Sequence, residues 1–346
     1  METYNYFPIL RTKDAELNGF AELSEKAKTA LLPIFELTRG RRTKKDKVGD
    51  VNKRIDRILE LVDGGRFILD LTTDPRASNK QIDNMLHDSG DGFKEWRTFL
   101  SNLNTKQCIP IIHYNPNALP EVRRQIVELL KLHQHLAFRI NSDNPEFINY
   151  VDQILAYIQD PKRLILIVDA GFVAISQIEA HKTQLTTLIN TLKRFPNKIC
   201  AVSGFPSSVT RYGADDTGNF RLAEVEIGEH LVANTELRAY CDYSSIHPIP
   251  FEAFGGWVPR VDFPLDRNCY YYRYREVDGG YEKAATDVLA DDLFRTIAGN
   301  WGINQIRSAA GGLPEGRSPS HWIAVRVNIH LTRQSNRVRG LNGIQL

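Results

Sequence analysis

Short apolar runs alternate along the chain with stretches of helical periodicity. Tyr4–Leu10, Leu31–Leu37, Arg66–Leu71, Gln107–Tyr114, His135–Asn141, Arg163–Asp169, Lys198–Gly204 and Leu237–Tyr243 are hydrophobic almost throughout. That is the pattern of strands covered on both faces rather than of half-exposed ones. Between them, apolar residues return every three or four positions, as in Val51, Ile55, Ile58, Leu59 and Val62, or Val122, Ile126, Leu129 and Leu130. That period predicts amphipathic helices. Asp50 is placed to cap the first of these helices, and Pro120 to open the second.

Eight strands joined by helices call for parallel pairing, because parallel neighbours need a crossover and the crossover is usually a helix. The predicted architecture is therefore α/β, a (β/α)8 TIM-like barrel over residues 1–245. An open doubly wound parallel sheet is the alternative. After Tyr243 the texture changes, and residues 246–346 read as a C-terminal α+β extension packed on the barrel. In it, Arg260–Tyr274 predicts a hairpin turning at Leu265–Asn268, Tyr281–Ala298 a helix, and His321–Thr332 a final strand. A disordered polar tail is expected from about Gln334.

Composition narrows the class. With 346 residues, 42% of them hydrophobic, there is ample material for a large core. No apolar run reaches the roughly 18–20 residues that cross a bilayer, and Met1-Glu-Thr-Tyr-Asn-Tyr6 lacks the features of a signal peptide. A cytoplasmic protein with no membrane segment is expected. Cys108, Cys200, Cys241 and Cys269 are widely spaced and form no CxxC or Cys/His metal pattern. A formal net charge of +2 leaves any electrostatic partner to local clusters.

The C-terminal third carries a series of short motifs. Asp242-Tyr243 is followed by Pro259-Arg260, Tyr270-Tyr-Tyr-Arg-Tyr274, Gly280-Tyr281-Glu-Lys-Ala-Ala285, Trp301-Gly302, Gly311-Gly312, His321-Trp322 and Asn328-Ile-His-Leu-Thr332. Their order resembles the beta protein family, whose type member comes from a satellite prophage. The opening Tyr6-Phe-Pro-Ile-Leu-Arg-Thr-Lys13 with Glu16, and Pro33-Ile-Phe-Glu36, is similar too, so the resemblance spans the chain. The single His330 departs from the histidine pair of many relatives. The resemblance implies a prophage or mobile-element setting, in anti-phage defence or toxin control, with a protein partner encoded nearby. It carries over no catalytic residues.

In a barrel, the C-terminal ends of the strands and the loops after them share one mouth, where ligands bind. That rule collects Glu36, Asp70, Asp169 and Asp242 as candidate catalytic or metal-holding carboxylates. It adds Lys13, His113, Arg139, Ser203 and Arg260 as candidate ligand contacts. Carboxylates with nearby cations suit Mg²⁺ or Mn²⁺ held over a phosphoryl group, with Arg139 clamping a small anionic ligand. Charged residues also stand at strand ends simply because the chain is leaving the core.

Gly204-Phe-Pro-Ser-Ser208 is a weak phosphate-loop candidate, and no GxGxxG, Walker A, GxSxG or HExxH pattern is present. The segment Arg39–Asp50 holds six basic residues and two acidic ones. Three readings stay open: a metal-assisted phosphodiesterase or hydrolase, a non-catalytic module that senses a ligand or binds a partner protein, and nucleic-acid binding through loop 39–47.

Overall fold

The computed structural model describes residues 4–340 except 104, 210–215, 238, 250–256, 295–296 and 298. The eleven strands among these residues are β1 (Tyr6–Arg11), β2 (Ile34–Leu37), β3 (Phe67–Leu71), β4 (Cys108–Pro110), β5 (Leu136–Asn141), β6 (Leu164–Phe172), β7 (Lys198–Ser203), β8 (Asp216–Arg221), β9 (Tyr240–Asp242), β10 (Arg260–Pro264) and β11 (Asn268–Arg273).

Eight of them pair in the order β4-β3-β2-β1-β9-β7-β6-β5. Every ladder in that sheet is parallel. A parallel bridge between Ile111 and Ala137 joins β4 to β5, so the sheet closes into a (β/α)8 barrel. The expected eighth strand is shorter than the run Leu237–Tyr243, and Arg238 lies outside the described residues.

Alternation along the strands sorts side chains into two layers. Phe7, Ile9, Ile34, Ile68, Ile109, Ala137, Ile165, Ile167, Ile199, Ala201 and Cys241 fill the barrel interior. Their neighbours Leu10, Phe35, Leu69, Phe138, Leu166 and Tyr240 face outward, under the helices. Register then levels the strand ends: Arg11 stands beside Glu36, and Glu36 beside Asp70.

The hairpin β10–β11 turns through Leu265, whose N–H donates to the Asn268 carbonyl at 2.8 Å. It forms a three-stranded antiparallel sheet with β8, a strand that leaves the barrel segment between β7 and β9. The stretch between β7 and β9 thus contributes a strand and the helix Ala223–Asn234. Helices Gly280–Ala290 and Trp301–Ala310 share a third core with this sheet through Val261, Phe263, Ala284, Val288, Ile303 and Ile306.

The expected final strand His321–Thr332 is instead part of a helix, Pro319–Val338, opened by Ser318, whose side chain caps the His321 N–H. The helix also continues through Gln334, where a disordered tail was expected, and residues 341–346 lie outside the described set. Its residues from Ala324 to Leu331 are all buried. It packs on Asp14–Ala21 through Asn328, which donates to the Gly19 carbonyl at 3.1 Å and accepts from the Gly302 N–H at 3.0 Å.

Candidate functional site

The interior-facing positions at the C-terminal ends of the strands form one charged layer. Arg139 on β5 stands at its centre. Its Nε donates to Asp169 Oδ2 at 2.9 Å, and one terminal nitrogen to Glu36 Oε2 at 3.2 Å and Asp70 Oδ2 at 2.8 Å. The other terminal nitrogen donates to the Tyr243 hydroxyl at 2.9 Å and pairs with Asp169 at 2.8 Å. Tyr243 in turn donates to Asp169 Oδ1 at 2.5 Å.

This matches the five-donor fork of a guanidinium, which leaves no N–H of Arg139 for a further anion. Burial opposes the charge on Arg139, but Tyr243, Asp169, Asp70 and Glu36 outweigh it and raise its pKa. Burial also raises Asp70, against the pull of Arg139.

Arg11, at the end of β1, extends the layer. Its Nε lies 3.6 Å from Glu36 Oε1, its backbone N–H donates to Glu16 Oε2 at 2.5 Å, and its guanidinium donates to the carbonyls of His247 and Pro248. Glu16 is buried, which pushes its pKa up to about 7 despite Arg11 and Lys13. The segment after β9 is thereby tied across the mouth. Ser203 holds it too, its hydroxyl donating to the Ile246 carbonyl at 3.1 Å. Ser244 and Ser245 in this segment have positive φ of 53° and 60°, uncommon for side-chain-bearing residues.

Of the sequence candidates, Glu36, Asp70, Asp169 and Arg139 come together, and Ser203 lies beside them as a brace of the crossing segment. Lys13 stands exposed at the start of the helix Asp14–Ala21. The other three lie elsewhere. Asp242 faces outward, where the Tyr6 hydroxyl donates to Oδ1 at 2.9 Å and His330 Nε2 lies 2.7 Å from Oδ2. His330 and these hydrogen bonds outweigh burial and hold its carboxyl below the usual range.

His113 is packed against Trp96 and Phe93, with ring centroids 5.0 and 6.0 Å away. Burial pushes its pKa down to about 3, so it is a neutral wall residue. Arg260 belongs to β10, where it pairs with Asp262 at 3.0 Å. Arg11 and Tyr243 were missed, although Arg11 closes its apolar run as Glu36 and Asp70 close theirs.

Three carboxylates against two guanidiniums leave the layer rich in acceptors. Its side chains are only slightly open to solvent, from 6% for Arg11 to 16% for Arg139. A divalent cation does not fit this arrangement as it stands, because the Arg139 guanidinium already lies between the carboxylates that would hold it. Among the described residues no three His, Cys, Asp or Glu side chains are grouped to hold a metal ion, and no helix is long and apolar enough to cross a membrane.

Comparison with known proteins gives concordant results. A family model described as "Beta protein" matches residues 6–336. "Protein beta" of Enterobacteria phage P4 is 32% identical over 342 residues, covering 96% of this chain and 93% of the relative. Among solved structures, the spore cortex-lytic enzyme SleL of Bacillus megaterium QM B1551 aligns with 94% of this chain and 74% of its own, at 10% identity and a TM-score of 0.36. A likeness that distant carries no argument here.

Proposed function

The chain belongs to the beta protein family, and from that premise we propose that it is a ligand-sensing module rather than a hydrolase. In this reading the barrel mouth recognises a small molecule rich in N–H or O–H donors, and its occupancy is passed to a protein partner. The phage-encoded relative supports a mobile-element setting, and within it the proposed role is in anti-phage defence or toxin control.

One observation carries the proposal. Arg139 is bonded to Glu36, Asp70, Asp169 and Tyr243 at once. Its donors are committed, so a phosphoryl group finds no free guanidinium edge there, whereas a donor-rich ligand meets surplus carboxylate acceptors. The metal-assisted hydrolase reading draws its support from Glu16, a carboxyl that burial pushes up to about 7 in the neighbourhood of Glu36. It requires Arg139 to move aside first.

A thermal-shift screen tests the choice with polyamines, guanidino compounds and sugars at millimolar concentration, on the wild type and on Asp169→Asn. At least one donor-rich class should raise the melting temperature of the wild type only. No shift from any of them, together with turnover of a phosphodiester in Mn²⁺, would favour the hydrolase.

A further inference from the structure

We propose that the loop Arg39–Asp50 is a preformed cationic finger that contacts the phosphate backbone of nucleic acid. The loop follows β2 and so projects from the mouth end of the barrel. Arg41, Arg42, Lys44, Lys45 and Lys47 on it are exposed, and among the described residues none has an acidic partner.

Its shape is fixed from within. The Gly40 N–H donates to the Gly49 carbonyl at 2.8 Å, the Thr43 N–H to the Asp46 carbonyl at 2.7 Å, and the Arg39 N–H to Ala77 at 2.8 Å. Asn79 Nδ2 donates to the same Gly49 carbonyl at 2.8 Å. Gly49 has φ of +76°, and a Cβ there would overlap the Gly40 carbonyl oxygen, so the closure requires glycine.

The only acidic group among the cations is directed inward. Asp46 accepts from the N–H groups of Gly49 and Asp50 at 2.8 and 3.1 Å and pairs with Lys53 at 3.3 Å. What remains outside is a tip of like charge on an ordered backbone.

The side-chain chemistry favours nucleic acid over a protein. Protein interfaces are centred on apolar and aromatic side chains, and the loop offers only Val48, 53% exposed. Arginine and lysine meet phosphate oxygens directly, and the ordering cost of the loop has been met in folding. Arg41–Lys47 contains no aromatic residue to stack on a base, and its cations reach phosphate oxygens whatever the sequence.

Fluorescence anisotropy with labelled duplex and single-stranded DNA tests this in two salt concentrations, about 50 and 200 mM. Contact of all five cations with phosphates bounds the salt slope at about −4.5 for duplex, so affinity should fall by up to several hundredfold between the two salts. R41Q/R42Q/K44Q/K45Q, folded as judged by an unchanged melting temperature, should lose about 3.6 of that slope. Gly49→Ala, with every charge kept, should bind several-fold more weakly.

Absence of binding at the lower salt, or equal binding by the quadruple variant, would overturn the proposal. Equal affinity for an acidic peptide or for phosphatidylserine vesicles would overturn the assignment to nucleic acid. Undiminished binding by Gly49→Ala would overturn the requirement for a preformed loop.

Discussion

Arg139 is the side chain on which the mouth depends, and the reason was partly legible. A guanidinium in the apolar run Leu136–Ile140 needs counter-charge, and the carboxylates ending neighbouring apolar runs are its natural partners. What the runs do not reveal is which face each residue takes, because strands buried on both sides show no alternation. That is why Asp242 was grouped with the site while Tyr243, one residue on, belongs there. A one-residue step exchanges barrel interior for helix layer.

Removing Arg139 should therefore be costly. Arg139→Met leaves three crowded carboxylates without their cation and should lower stability by about 2–4 kcal/mol, less than for a fully buried pair because the layer touches solvent. Urea unfolding at neutral pH measures it. The loss should shrink as pH falls and Asp70, which burial raises, takes up its proton.

Glu224 gives a second prediction at this scale. It is buried, accepts from the Gly204 N–H at 2.6 Å, and is pushed up from the ordinary 4.5 to about 7, chiefly by burial. A raised carboxyl favours the folded state while protonated. Its contribution is complete below the unfolded value and is lost as pH rises from about 4.5 to about 7. Glu224→Gln keeps an acceptor for Gly204 without the charge. It should gain on the order of 2 kcal/mol relative to the wild type at pH 8 and little at pH 4, read from melting curves. An equal effect at both pH values would contradict the assignment.

At the scale of elements, helices and strands of the barrel were readable because each has one environment along its length. The helix Pro319–Val338 was not. Trp322-Ile-Ala-Val-Arg-Val-Asn-Ile-His-Leu331 is rich in β-branched residues and partly alternating, which favours a strand on sequence grounds. In the structure it is enclosed by the helix Asp14–Ala21, the hairpin sheet and the helix Trp301–Ala310, so apolar residues surround it and the helical period vanishes.

Tertiary contact there overrides intrinsic preference. A Cβ added at Gly19 would lie 2.7 Å from the Ala324 carbonyl oxygen and 2.9 Å from the Val327 side chain. Gly19→Ala should thus force the two helices apart and destabilise the protein by about 1–3 kcal/mol, although alanine is the better helix former. Hydrogen exchange should show the added opening in Pro319–Val338. A stabilised Gly19→Ala protein would mean the helices are not in close contact.

For the whole molecule, the chain winds once around the barrel in sequence order, β1 to β7 and then β9, with β8 diverted to the outer sheet. That order brings residues 36, 70, 139 and 169 to one mouth from four separate crossovers. The strand count and the helical spacing made this foreseeable. The diversion of β8 was not, since Asp216-Thr-Gly-Asn-Phe-Arg221 is polar and finds its pairing only with β11. The outward cluster of Asp242, Tyr6 and His330 likewise depends on the C-terminal helix docking on the barrel, a contact between residues 88 positions apart.

In the proposed reading Arg139 fills the cationic position of the mouth, and the carboxylates serve recognition rather than holding a metal. Isothermal titration of Mn²⁺ into the wild type tests it most directly. No saturable binding is predicted up to millimolar concentration, because the ion would have to displace a guanidinium bonded to three carboxylates. Saturable binding in the micromolar range by the wild type, abolished in Asp169→Asn, would contradict it.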